Sequence, residues 1–163
     1  MHSRIFQMSS KPISKEDYLG EDYFYDDFVP CVGDYVSEVK NDTDSLKWLE
    51  GYLNARGGVE LDIANRTLKI VDKEKYFESD YEKFKKVLDE AKNMTLSSFS
   101  RSGENRGLEA DLTIYDLKRL YEGDKFGFYL VSKEDGYEPL NSYIRWLNNG
   151  TVLYIGAVFD YHS

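Results

Sequence analysis

The sequence predicts a single α+β domain that spans residues 1–163, with about five mainly antiparallel strands and helices packed against the sheet. A length of 163 residues is typical of one domain. Several short segments alternate apolar and polar residues, as half-buried strands do, and several longer segments repeat apolar residues at helical spacing. The predicted strands and helices do not alternate regularly along the chain, which disfavours a parallel βαβ sheet.

Five segments carry the strand signal. A short apolar run at 4–8 predicts the first strand. A hairpin is predicted over 59–63 and 68–70, because apolar residues there alternate with charged ones on both sides of a turn. Alternation at 126–130 predicts the fourth strand, and alternation at 153–161 predicts the last.

The last strand is apolar on both of its faces. One face carries Leu153, Ile155, Ala157, Phe159 and Tyr161, and the other carries Val152, Tyr154 and Val158. We therefore expect a strand that is central in the sheet or covered on both faces. Ala157 and Phe159 are expected to share one core with the other strands and with Phe84 and Leu88 of a long helix.

Helices are predicted where apolar residues recur at spacings of three and four. These segments are 45–54, 77–91, 111–122 and 140–147, and a short helix is also predicted over 34–39.

Two of these segments specify which residues should face inward, and a loop lies between them. The inward residues are predicted to be Phe77, Tyr81, Phe84, Leu88 and Ala91 in the first helix, and Leu112, Tyr115 and Leu120 in the second. The intervening stretch, 97–107, is polar and rich in glycine and serine, which predicts a mobile loop.

The negative charge of the chain is concentrated in one segment. Thirty acidic and 21 basic residues give a net charge of -9. Residues 16–39 contain eight acids and no lysine or arginine, so the rest of the chain has a net charge of only -1. The acids of this segment are Glu16, Asp17, Glu21, Asp22, Asp26, Asp27, Asp34 and Glu38, and its aromatic residues are Tyr18, Tyr23, Phe24, Tyr25, Phe28 and Tyr35. This aromatic content argues against a disordered acidic tail.

Several classes of protein are disfavoured by composition. No apolar run is long enough to cross a membrane, and the first eight residues lack the apolar stretch of a secretory signal, so a cytoplasmic protein without membrane contact is expected. The glycine-rich phosphate loops and the Gly-x-Ser-x-Gly elbow are absent from the sequence. The acidic balance argues against direct binding of nucleic acid.

Residues that could bind a metal or act as a nucleophile are few. Cys31 is the only cysteine, which excludes an internal disulfide, and a buried or incidental role is expected for it. His2 and His162 are the only histidines, and they would come together if the first and last strands pair antiparallel. Two histidines are too few for a metal cage, so no resident metal is predicted. No cofactor and no catalytic residue is predicted either, because most of the usual catalytic patterns are absent from the sequence.

The leading functional expectation is an acidic, non-enzymatic binding protein. It would present the 16–39 segment to a protein partner with a basic surface, as an inhibitor, an immunity protein or a phosphate mimic does, because carboxylates steer association and tyrosines supply contact area. The predicted binding residues are Asp17, Glu21, Asp22, Tyr23, Tyr25, Asp26 and Asp27. One alternative is a hydrolase that uses carboxylates of the same segment, with or without a divalent metal. The other is a housekeeping interaction domain in which the tyrosines belong to the core and the acids are solvated.

Overall fold

A computed structural model describes residues 1–102 and 109–163. Within these residues the chain forms one mixed sheet of seven strands with helices against it, which confirms the α+β class. The strands are β1 (His2–Ser9), β2 (Tyr35–Glu38), β3 (Val59–Asp62), β4 (Thr67–Ile70), β5 (Tyr129–Ser132), β6 (Gly136–Pro139) and β7 (Val152–His162). The helices are α1 (Phe28–Cys31), α2 (Thr43–Arg56), α3 (Lys73–Lys92), α4 (Leu96–Ser100), α5 (Glu109–Glu122) and α6 (Leu140–Trp146). Two 3₁₀ turns, Lys15–Asp17 and Glu21–Phe24, precede α1.

The strand order is β3-β4-β7-β1-β5-β6, and β7 is the central element. One edge of β7 pairs antiparallel with β1 along nearly its whole length. The other edge pairs with β4 near its start and with β2 near its end. The strands β1 and β5 are parallel, whereas the other pairs are antiparallel.

Each of the five predicted strands overlaps an observed one, although the fourth, predicted over 126–130, begins only at Tyr129. The prediction missed two other strands. The segment predicted as a helix over 34–39 is instead β2, which forms because its backbone pairs with the end of β7. The second missed strand, β6, has the sequence Gly-Tyr-Glu-Pro, which has no strand periodicity, and it pairs with β5. Both strands result from long-range or hairpin pairing, which local patterning does not report.

The first core lies between one face of the sheet and helices α2, α3 and α6. Leu46, Leu49 and Leu53 of α2 are buried there, which confirms the stripe expected for that helix. The buried residues from the strands are Phe6, Met8, Val59, Leu68, Ile70, Leu130, Leu153, Ile155 and Val158.

A second core lies on the opposite face of the sheet, so β7 is covered on both sides as its sequence predicts. Ala157 and Phe159 belong to this second core and not to the core that contains Ile155. The expectation of one common core was therefore wrong. The pairing of β1 with β7 shifts register between Phe6 and Met8, and this irregularity moves the odd-numbered residues of β7 from one face to the other.

The inward face of α3 also differs from the prediction. Tyr81 and Leu88 are 59% and 39% exposed, and Phe84 is only half-buried. The buried residues of this helix are Tyr76 and Asp80. Asp80 can be buried because the Arg56 guanidinium lies 2.5 Å away and the Asn141 amide donates to the same carboxylate at 3.3 Å.

The region around α4 and α5 contains two further corrections. Leu112 and Tyr115 are exposed, and α5 instead buries Ala110 and Thr113. Part of the predicted 97–107 loop is helical in α4, and residues 103–107 lie outside the described part of the chain. None of the helices in the described ranges is long and apolar enough to span a membrane.

Candidate binding surface

The segment with the excess of negative charge, residues 16–39, is the layer that covers the second core; we call it the acidic-aromatic segment. It crosses the sheet through the two 3₁₀ turns and α1, and then joins the sheet as β2. Phe24 and Phe28 are completely buried against the strands. Leu19 and Val36 are buried in the same core, so these four side chains hold the layer in place while its acids face outward.

Phe28 is the main anchor of the segment. Its ring packs edge-to-face against Tyr129 at 5.1 Å, Tyr137 at 4.9 Å and Tyr161 at 5.1 Å between centroids. Phe24 adds a fourth ring at 5.8 Å. Edge-to-face pairs are a favoured aromatic geometry, so this cluster fixes the position of α1 against β5, β6 and β7.

A buried glutamine fixes the start of the segment. The Gln7 side chain on β1 accepts hydrogen bonds from the backbone N–H of Leu19 at 3.0 Å and of Ala157 at 3.2 Å, and it donates to the carbonyl of Asp17 at 3.0 Å. A Cβ at Gly156 would lie 2.7 Å from the Gln7 amide oxygen, so this contact requires glycine there. The amide joins β1, the irregular part of β7 and the entry of the acidic-aromatic segment.

All eight acids of the segment are exposed. Two of them lie beside a basic side chain: Asp17 lies 3.8 Å from Lys133, and Asp34 lies 2.9 Å from His162. The His162 ring lowers the pKa of the Asp34 carboxyl by hydrogen bonding to it. In the described part of the chain, the other six acids form no ion pair within 4.0 Å.

The two predicted contact tyrosines lie among these acids. Tyr23 and Tyr25 are 41% and 46% exposed. Their hydroxyls donate to the carbonyls of Ser132 and Val36, each at 3.4 Å, so both rings are tethered at their outer ends. All seven residues predicted to bind a partner are thus on the surface, five of them as carboxylates and two as partly exposed rings.

Cys31, expected to be buried or incidental, is exposed.

The two histidines meet at the end of the β1–β7 pair, as the antiparallel arrangement predicts. His2 lies directly opposite His162 in the register, and the ring centroids are 5.1 Å apart. Among the described residues there is no group of three or more histidine, cysteine, aspartate or glutamate side chains that could hold a metal ion.

Sequence patterns gave no indication of a groove between α3, α5 and α6. It has a volume of about 860 Å³, and its lining combines apolar and aromatic side chains, including Phe77, Phe84 and Leu120, with charged ones. The Arg145 guanidinium lies between the rings of Phe77 and Tyr121, at 4.5 Å and 4.0 Å from their centroids. The groove could not be predicted because it depends on the relative placement of three helices.

Comparison with known proteins adds no family assignment. The chain matches no protein-family model, no curated protein and no solved structure.

Proposed function

We propose that the protein is a non-enzymatic binding protein and that the acidic-aromatic segment is its contact surface for a protein partner with a basic surface. An inhibitor, an immunity protein or a mimic of nucleic-acid phosphates would use such a surface. The observation that carries the proposal is the combination of six exposed carboxylates outside any described ion pair with two tethered, partly exposed tyrosines.

The physical roles of the two residue types differ. Exposed carboxylates attract a basic partner over distances of about 10 Å at ordinary ionic strength, and therefore raise the association rate. Tyrosine rings provide contact area that is lost only when the complex dissociates, so they determine the dissociation rate. Anchoring by Phe24 and Phe28 favours binding through this segment, because a surface that is already ordered loses little conformational entropy when a partner binds.

The same exposure favours a contact surface over the carboxylate-based hydrolase. Acids that act together in catalysis converge in a concave site from which water is partly excluded. Asp22, Asp26 and Asp27 are all solvent-exposed instead. The exposure of Tyr23 and Tyr25 also argues against a purely structural role for the tyrosines.

The proposal can be tested with two charge variants that have the same net charge. The first is the triple change Asp22→Asn, Asp26→Asn and Asp27→Asn within the segment. The control is Glu60→Gln, Glu74→Gln and Glu90→Gln, three exposed acids on other elements. A partner is first captured from a lysate of the source organism on immobilised wild-type protein and identified, and its association with each variant is then measured at several salt concentrations.

We expect the first variant to associate about three- to tenfold more slowly than wild type, with a weaker salt dependence, while the control retains the wild-type rate. Thermal midpoints of both variants should stay near that of wild type, because none of these acids is buried. The Tyr23→Ala, Tyr25→Ala variant should instead dissociate faster. Equal association of all variants, without salt dependence, would reject the acidic-aromatic segment as the contact surface.

A further inference from the structure

The two histidines form a cross-strand pair at the end of the β1–β7 ladder. His2 and His162 are the only histidines of the chain, and the register places them directly opposite each other. Their ring planes are inclined by 64° at a centroid separation of 5.1 Å. The side chains are 57% and 37% exposed, so solvent and dissolved ions reach both.

Each ring is held by its own carboxylate at the same nitrogen. His2 Nδ1 lies 2.8 Å from Asp160 Oδ2, and His162 Nδ1 lies 2.9 Å from Asp34 Oδ2. The Asp160 carboxylate is itself fixed by an ion pair with Arg4. When a carboxylate accepts a hydrogen bond from Nδ1–H, the lone pair of the ring lies on Nε2. The hydrogen bond also makes Nε2 a stronger metal ligand.

We propose that His2 and His162 form a two-ligand site for a divalent transition ion that prefers imidazole, such as nickel, copper or zinc. The Nε2 atoms of the neutral rings supply two ligands, and water occupies the remaining positions. Asp160 and Asp34 are positioning residues that orient the rings and offset part of the positive charge. Because no further protein ligand joins the pair in the described residues, the ion exchanges with solvent and is not a resident cofactor.

Binding at this site would join three strands. His2 belongs to β1 and His162 to β7, and Asp34 connects the second ring to the start of β2. The stacked ring of Tyr35, 6.0 Å from His162, lies beside the same junction. An ion that binds only this folded arrangement raises the free energy of unfolding as its concentration rises.

The test uses the full chain without an affinity tag, freed of metal with a chelator, and carrying Cys31→Ser because the exposed thiol also binds these ions. Calorimetric titration with nickel chloride should give one ion per chain, and magnesium chloride should give no binding. His2→Gln and His162→Gln should each lower the nickel affinity at least tenfold. Asp160→Asn, which retains both ligands, should lower it by about tenfold.

Two further measurements separate the proposed site from other ways of binding nickel. The thermal midpoint of the parent protein should rise with nickel, whereas that of the His2→Gln, His162→Gln variant should not. Light scattering should show that nickel leaves the mass of the particle unchanged. The proposal is overturned if the double variant binds nickel as the parent does, if the parent binds none at millimolar concentration, or if nickel joins two chains.

Discussion

Replacing Phe28 by alanine tests whether the acidic-aromatic segment is part of the folded core or only rests on the sheet. The side chain is fully buried and contacts Phe24, Tyr129, Tyr137 and Tyr161 with centroid distances of 4.9 to 5.8 Å. Phenylalanine-to-alanine changes in a core cost about 3–5 kcal/mol, and four ring contacts place this site near the middle of that range, at about 4 kcal/mol. The thermal midpoint should fall by roughly 8–16 °C.

The assay is urea unfolding followed by far-ultraviolet circular dichroism, with thermal unfolding as a second measurement. Phe99→Ala is the matched control, because that ring is 69% exposed and its removal should cost less than about 1 kcal/mol. If Phe28→Ala costs no more than the control, the segment does not contribute to the core. The segment would then also not present an ordered surface to a partner.

Two other predictions concern buried polar groups. Asp80→Asn leaves the guanidinium of Arg56 without its carboxylate and should lower the free energy of unfolding, measured in urea, by about 3 kcal/mol. The control Glu78→Gln, in an exposed ion pair, should cost less than about 1 kcal/mol. Equal costs would show that the Asp80 ion pair is effectively solvated. Burial raises the phenol pKa of Tyr76, Tyr129 and Tyr161 far above the ordinary 10.0, so the folded protein keeps these three rings neutral at a pH where the unfolded chain ionises them. Their contribution to the free energy of unfolding should therefore be fully present below pH 10 and decline above it. Tyrosinate absorbance from these rings should appear only with unfolding. Smooth ionisation of all 14 tyrosines while circular dichroism stays native would contradict this burial.

The elements that could be predicted from the sequence are those that bury one regular apolar face. The leucines of α2 and the hairpin of β3 and β4 have such faces, and both are present. The face of α3 was missed because one of its central positions is Asp80, whose burial depends on Arg56 and Asn141 from other helices. A pattern of apolar residues cannot identify a core position occupied by a paired charge.

The candidate surface was only partly visible from the sequence. The concentration of charge at residues 16–39 could be counted from the sequence. Which aromatic rings of the segment are buried and which are exposed could not be predicted. Phe24 and Phe28 are anchors because they face the second core, whereas Tyr23 and Tyr25 are exposed because they lie on the outer side of the same turns. This difference in burial depends on the short 3₁₀ and helical turns of the segment, which are too short to show a periodic pattern in the sequence.

The position of β7 in the sheet also affects how the chain reaches its folded state. The strand pairs with β1, β2 and β4, yet residues of β1 and β7 that face each other, such as His2 and His162, are 160 positions apart. Contacts between residues so distant in sequence slow folding, because a large loop must close before they form. During synthesis, β1 and the two phenylalanines of the acidic-aromatic segment leave the ribosome long before the strand that buries them. Until β7 is made, these apolar side chains are exposed to aggregation.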